Sequence, residues 1–403
     1  MKSVSNLLVA TLACGLLAAG PLAAQTPAEE ADKAPEAGAP VVVAPLATLD
    51  VFSIGYGETG LPADLWRGAS AGLMRTVLPR LSQRSLSPAA RDLAVRLLST
   101  GAAAPEGSGS DLDLATDRAE ALLALDQPEA VAVILNRAPN MDHNAALSHA
   151  AAEAFLITGD DGRACEAARD LATGRDAVYW LRLRAYCQAQ AGDHEAADLT
   201  FALAQQASPD PVYARLMGVI LAGAGSPGAP SWRNGLEIAM SRRLGLPLRP
   251  EPPLADVASR EVIAGLTPLL QAAAGGDRTP FDAAFDAVAA AATPAARTRA
   301  QARVLILAAL GQSLTDDQAA RMAGFDAGRG GGPAGARLAL QEAAADGRRG
   351  QTGLAALALC ASAPATGLSL ADRIEIVAAL RRVGLAADAR AFAIEGLAGL
   401  GAP

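Results

Sequence analysis

The stretch WLRLRAYCQAQAGDHEAADLTFALAQQASP, residues Trp180–Pro209, decides the fold. Before Gly192-Asp193, Trp180, Leu183 and Tyr186 recur at helical spacing; after it, Ala197, Phe201 and Ala204 do the same until Pro209. Gly192-Asp193 therefore sits between two helical segments. Working outward, Gly159-Asp160 and Leu125-Asp126 occupy the same kind of junction, at intervals of 33 and 34 residues. A period near 34 marks stacked helix-turn-helix repeats, since each unit buries its apolar face only against a neighbour. The second unit keeps Gly159, Ala164 and Ala168, while the first has lost the glycine.

The unit around Gly192 resembles the tetratricopeptide pattern. Ala197, Phe201, Ala204 and Pro209 stand at the offsets where that family places its small, aromatic, small and terminal proline residues. Trp180, Leu183 and Tyr186 match in character, one residue out of register. The resemblance spans residues 111–221. It implies an all-α chain, a right-handed solenoid of tetratricopeptide-like helix pairs followed by a second helical half. Trp180, Leu183, Gly192, Ala197, Phe201, Ala204 and Pro209 are then repeat-packing residues. Stacked pairs produce a concave surface suited to peptide or helix capture. Arg182, Tyr186 and Gln190, spaced by four along one helix, are the candidate partner groove, with an ordinary solvated face as the alternative.

Outside the repeats the pattern stays helical. Asp50 to Gly60 is apolar and glycine-punctuated, an extended strand-like segment expected to dock on the first helices. Helical character is expected from Pro62 onward, with Ser87-Pro88 opening a helix through Leu98. Gly223 to Pro230 reads as a loop and Ser231 to Leu244 as a helix. Gly245 to Pro253, with four prolines, is the expected boundary between an N-terminal helical-repeat domain (50–244) and a C-terminal helical domain (254–403). Helices are expected there over 280–291, 294–310, 315–322, 334–345, 353–361, 369–383 and 386–397, with a flexible break at Gly328 to Gly335. No run alternates as a strand does.

The first residues read as a cleaved secretory signal (1–24): Lys2, an apolar run from Leu7 to Leu17, then Ala23-Ala24. Cys14 lacks the leucine that a lipoprotein signal carries upstream, where Thr11 stands, so lipidation is not expected. Residues 25–49, rich in Pro, Ala and Glu, read as a disordered linker. A periplasmic, or else extracellular, soluble protein follows, with no transmembrane span after cleavage. Lys2 and Lys33 are the only lysines. A Walker loop, a Schiff-base lysine and a serine–lysine dyad are thereby excluded from the folded part. The net charge of −8 and the lack of basic tracts argue against nucleic acid as a partner.

Cys165 and Cys187 fall on successive helices at similar heights from the intervening turn. An exported chain meets an oxidising compartment, so a Cys165–Cys187 disulfide is expected, worth about 3 kcal/mol by loop-closure entropy. Cys360, in an Ala/Leu helix, is expected to be a small core residue.

Motifs with chemistry are sparse. Gly55-Tyr56-Gly57-Glu58-Thr59-Gly60 has dinucleotide-loop spacing but no βαβ unit around it. Gly68-Ala69-Ser70-Ala71-Gly72 has nucleophile-elbow spacing but falls inside an expected helix between Trp66 and Leu78. His143 and His149, six apart, share no helix face, and His194 stands at a turn. Asp160-Asp161 and Asp316-Asp317 suit helix starts. No catalytic, cofactor-binding or metal-binding residue is expected. The expected function is a periplasmic helical-repeat scaffold for protein–protein interactions in the bacterial cell envelope. The alternative is an envelope enzyme acting on peptidoglycan or polysaccharide, with the repeats as a docking module.

Overall fold

The computed structural model describes residues 50–247 and 264–400, except residues 84, 137, 269 and 272–274. The expected signal (1–24), the linker (25–49) and most of the expected boundary at 245–253 lie outside the described residues. Among the described residues all regular structure is helical and none is strand, as the sequence predicts.

The first helices are α1 (Ala71–Leu81), α2 (Pro88–Ser99), α3 (Leu112–Ala124), α4 (Pro128–Leu135) and α5 (Ala145–Thr158). They continue as α6 (Asp161–Asp170), α7 (Val178–Gln190), α8 (His194–Ala207), α9 (Pro211–Ala222) and α10 (Gly235–Arg243). Caps explain most starts. Asp111, Asn144, Asp160, Asp193, Asp210 and Asn234 each accept a backbone N–H of the first turn, at about 1 kcal/mol per cap. Proline at the first position opens α2 and α4.

The three junctions predicted from the period are real turns. They join α3 to α4, α5 to α6 and α7 to α8. Each contains one residue in the left-handed region: Asp126 (φ 60), Gly159 (φ 94) and Gly192 (φ 81). That conformation ends a helix and reverses the chain within two or three residues. Aspartate tolerates it better than most side chains, which is how the first unit manages without glycine. Trp180, Leu183, Ala197 and Ala204 are buried, and Phe201 packs 5.7 Å from the Tyr213 ring of α9. Pro209 sits exposed in the link to α9. Cys165 on α6 and Cys187 on α7 are joined, with Cα atoms 5.6 Å apart.

The fourth pair departs from this plan. After Gly223 the chain runs through a long loop to Asn234, and α10 then returns to pack on α5 as well as α9. Gly235 permits the approach, because a Cβ there would lie 2.7 Å from the Glu153 carbonyl oxygen. Farther along α10, Arg242 donates to the Leu156 carbonyl at 3.0 Å and pairs with Asp161 at 2.6 Å.

Residues 264–268 and 270–271 are also helical, and after them come α11 (Thr279–Ala290), α12 (Pro294–Ala309), α13 (Asp316–Met322) and α14 (Ala334–Ala345). The last three are α15 (Arg349–Ser362), α16 (Leu370–Arg382) and α17 (Ala386–Gly399), all near their expected bounds. They do not stand apart from the first helices. α15 packs on α1 and α2, and α17 packs on α2. Ser87 donates to Glu395 at 2.9 Å, and Arg96 pairs with the buried Asp388. Gly353 of α15 makes room for Leu97, which a Cβ would meet at 2.6 Å. The described residues thus belong to one contact unit in which the first helices close on the last.

Four local expectations need correction. The helix expected over Ser231 to Leu244 begins only at Gly235, capped by Asn234, and residues 231–233 belong to the loop before it. Residues 62–70 form turns, and the first α-helix begins only at Ala71, capped by Ser70. The 50–60 segment docks as expected but as a short 3-10 turn and irregular chain. Its partner is Arg118, 2% exposed, which donates to the carbonyls of Leu98 (2.8 Å), Ile54 (3.1 Å) and Thr100 (3.2 Å). Burial lowers the Arg118 pKa to about 10. The glycine-rich break at 328–335 is clamped rather than loose. One oxygen of Asp372, buried on α16, accepts the N–H groups of Gly331 (2.7 Å) and Gly332 (2.9 Å) and the Ser369 hydroxyl (2.7 Å).

Candidate functional site

The return of α10 creates a groove of about 500 Å³ between α3, α5, α10 and the loop before α10. α5 contributes His149, Glu153 and Ile157, spaced by four and so on one helix face. α3 and its turn contribute Glu120, Leu123 and Asp126. The loop contributes Trp232, Arg233 and Asn234, and α10 contributes Ile238. Trp232 is 41% exposed, whereas Trp66 and Trp180 are buried. A large apolar ring left at the mouth of a groove is the kind of group that anchors a partner.

The walls are held rigidly. Glu153 is buried, and both of its oxygens are engaged: one accepts from the Tyr179 hydroxyl at 2.9 Å, the other from Gly235 N–H at 2.6 Å. Burial, reinforced by the Glu153 charge, raises the Tyr179 pKa well above its ordinary value, so the phenol stays a donor. The His149 ring stands edge-on to Tyr179 at 4.1 Å. Arg233 reaches both oxygens of Asp210 at 2.8 Å and bonds Glu237, and these carboxylates hold its pKa above the ordinary arginine value. Its charge is therefore matched away from the groove.

What stays open is acidic and apolar. Glu120 is exposed and has no cation paired with it among the described residues. One turn earlier on the same face, Asp117 has its pKa raised by burial and by the neighbouring carboxylates Glu120, Asp113 and Asp111. Leu123, Ile157 and Ile238, each part-exposed, supply apolar surface. Such a site can bind apolar anchors flanked by positive charge.

The residues expected to form a partner groove on α7 are engaged internally. Arg182 donates to the Ser208 carbonyl at 2.9 Å, lies 3.4 Å from Asp210 and stacks over the Tyr213 ring. Tyr186 is fully buried and donates to Asp161 at 2.8 Å; Gln190 donates to the same carboxylate oxygen at 2.9 Å. The trio ties α7 to α6 and α9, because four-residue spacing marks a shared face without saying what that face meets. Sequence reasoning missed Trp232, whose one signal was a large aromatic beside a Gly/Pro-rich loop. It also missed the roles of His149 and Glu120.

The two motif matches have local structural uses. Ser70 accepts the Leu73 N–H as a helix cap, and its own N–H donates to Gln351 at 2.8 Å. Gly55 allows contact between two backbones, since a Cβ there would sit 2.3 Å from Gly101 N. Among the described residues no group of three or more His, Cys, Asp or Glu is placed to hold a metal ion. Cys360 is unpaired on α15, and burial, with the nearby Glu395 charge, pushes its thiol up to about 12.

No family model, curated protein or solved structure matches the chain.

Proposed function

We propose that this protein is an exported helical-repeat scaffold that holds partner proteins in the bacterial cell envelope through the α3/α5/α10 groove. The observation that carries the proposal is the groove itself, in which a half-exposed tryptophan overhangs apolar surface from three helices. Helix pairs whose left-handed turn residues Asp126, Gly159 and Gly192 recur every 33 residues support the tetratricopeptide-like solenoid, with α10 folding back to close it after three pairs. The Cys165–Cys187 bond supports a periplasmic location, since such bonds persist in oxidising compartments. The signal-like residues 1–24 point the same way.

Site-specific photocrosslinking in cells tests the proposal. A photoreactive phenylalanine at position 232 should give a discrete adduct in the periplasmic fraction, and the same probe at position 182 should not. Equal labelling from both positions, or a cytoplasmic protein with reduced Cys165 and Cys187, would refute it.

A further inference from the structure

The groove is selective in charge as well as in polarity. Its lining carries three carboxylates, Glu120, Asp126 and Glu153, against one guanidinium, Arg233. Arg233 is shared between Asp210 and Glu237, and both Glu153 oxygens accept internal hydrogen bonds, so the charge of the groove rests on the exposed Glu120. Along α3 Asp113, Asp117 and Glu120 follow at spacings of four and three and share one face, with Arg75, paired to Asp111, as a cation near Asp117. Anionic ligands, including nucleic acid and acidic lipid headgroups, are repelled by such a surface.

The shape narrows the class further. Among the described residues there is no strand, and so no sheet edge for an extended peptide to lengthen. A pocket of about 500 Å³ takes a few anchoring side chains rather than a length of backbone. Anchors from one face of a helix, at three- and four-residue spacing, meet both conditions.

We infer that the occupant of this groove is a cationic amphipathic helix of a partner protein. Its apolar stripe seats on Leu123, Ile157 and Ile238 beside Trp232, and its lysines or arginines face Glu120 and the acidic side of α3. This inference rests on the groove being the partner site.

The test is selection of phage-displayed random peptides against the full exported chain, followed by titration of the enriched peptides while Trp232 emission is recorded. Enriched sequences should carry Lys or Arg flanking apolar residues at helical spacing. Their affinity should fall with added salt, and should fall about tenfold in Glu120→Lys and less in Glu120→Gln. Trp232→Ala should weaken binding, while Trp232→Phe should keep binding and lose the emission change. Peptides without cationic enrichment, indifferent to salt and to Glu120→Lys yet weakened by Trp232→Ala, would overturn the charge inference and leave the groove standing. Peptides indifferent to Trp232→Ala, or no enrichment at all, would overturn the groove as partner site and this inference with it.

Discussion

The helices of residues 112–207 and those of residues 279–399 share the helix-turn-helix pair and differ in how far along the sequence their other partners lie. In the first region the turns at Asp126, Gly159 and Gly192 are tight and left-handed, as are those at Gly347 and Gly384 in the second, and in both regions helices joined by such turns pack together. The ties of the first region are local too: Cys165–Cys187, and Asp161 accepting from both Tyr186 and Gln190. In the second region α15 is the central element. It is buried on nearly every side, from Gly350 to Ala361, and it packs on α1 and α2 from the far end of the sequence as well as on α14 and α16. A helix with one apolar stripe announces that it has one neighbour. A helix that is apolar all round says only that it is central, and leaves open what surrounds it.

This contrast can be broken or sharpened by measurement. The largest effect should come from Phe392→Ala, which empties a fully buried position on α17 and should cost about 3–5 kcal/mol in denaturant unfolding. Phe201→Ala, at a half-buried position on α8, should cost less than half as much. Equal costs would show that the two regions do not differ in how far they rely on core packing.

Replacing Cys165 and Cys187 with alanine should remove about 3 kcal/mol. Reductant should lower the stability of the parent protein and leave the double variant unchanged. If the parent is also unchanged, the α6–α7 link is not covalent in solution.

The closure of the first helices on the last is tested by Arg96 and Asp388. Arg96→Met leaves a buried carboxylate without its cation and should cost about 2 kcal/mol, whereas Asp388→Asn should cost under about 1 kcal/mol. Burial raises the Asp388 pKa above the usual carboxylate range in spite of Arg96, with Asp92 acting in the same direction. The folded carboxyl therefore holds its proton to a higher pH than the unfolded one. The stability from this group is complete below the unfolded pKa and is lost as pH rises through the folded one. Asp388→Asn removes that loss, so its stability relative to the parent should rise from acid to neutral pH. A difference that falls with pH would reverse the assignment.

The smallest effect should be that of Trp232→Ala on stability, within about 0.5 kcal/mol, since its ring lies at the groove mouth. A loss of several kcal/mol would make Trp232 a structural residue rather than a binding one.

Several features were legible because they depend on nearby residues. Asp160 and Asp193 cap helices, Gly159 and Gly192 turn the chain, and Cys165 and Cys187 lie at matching heights on neighbouring helices. The candidate site was not legible. Glu120, His149 and Trp232 belong to three segments with no shared spacing, and the packing of both α3 and α10 on α5 brings them together. The α7 face misled because Arg182 and Gln190 look solvated in sequence, yet their partners Asp210 and Asp161 lie on neighbouring elements.

By itself the sequence determined the all-helical character of the described residues, most helix ends beyond residue 279, the three tight turns and the disulfide, since caps, turns and apolar periods act within a few residues. Tertiary structure alone decided that α10 returns to α5, that α15 and α17 receive α1 and α2, and hence that a groove exists. Those outcomes rest on close approaches at Gly235 and Gly353 and on buried partners such as Glu153 and Asp388, whose contacts lie far away in sequence. Such contacts form only when several surfaces fit at once, and no single segment encodes that fit.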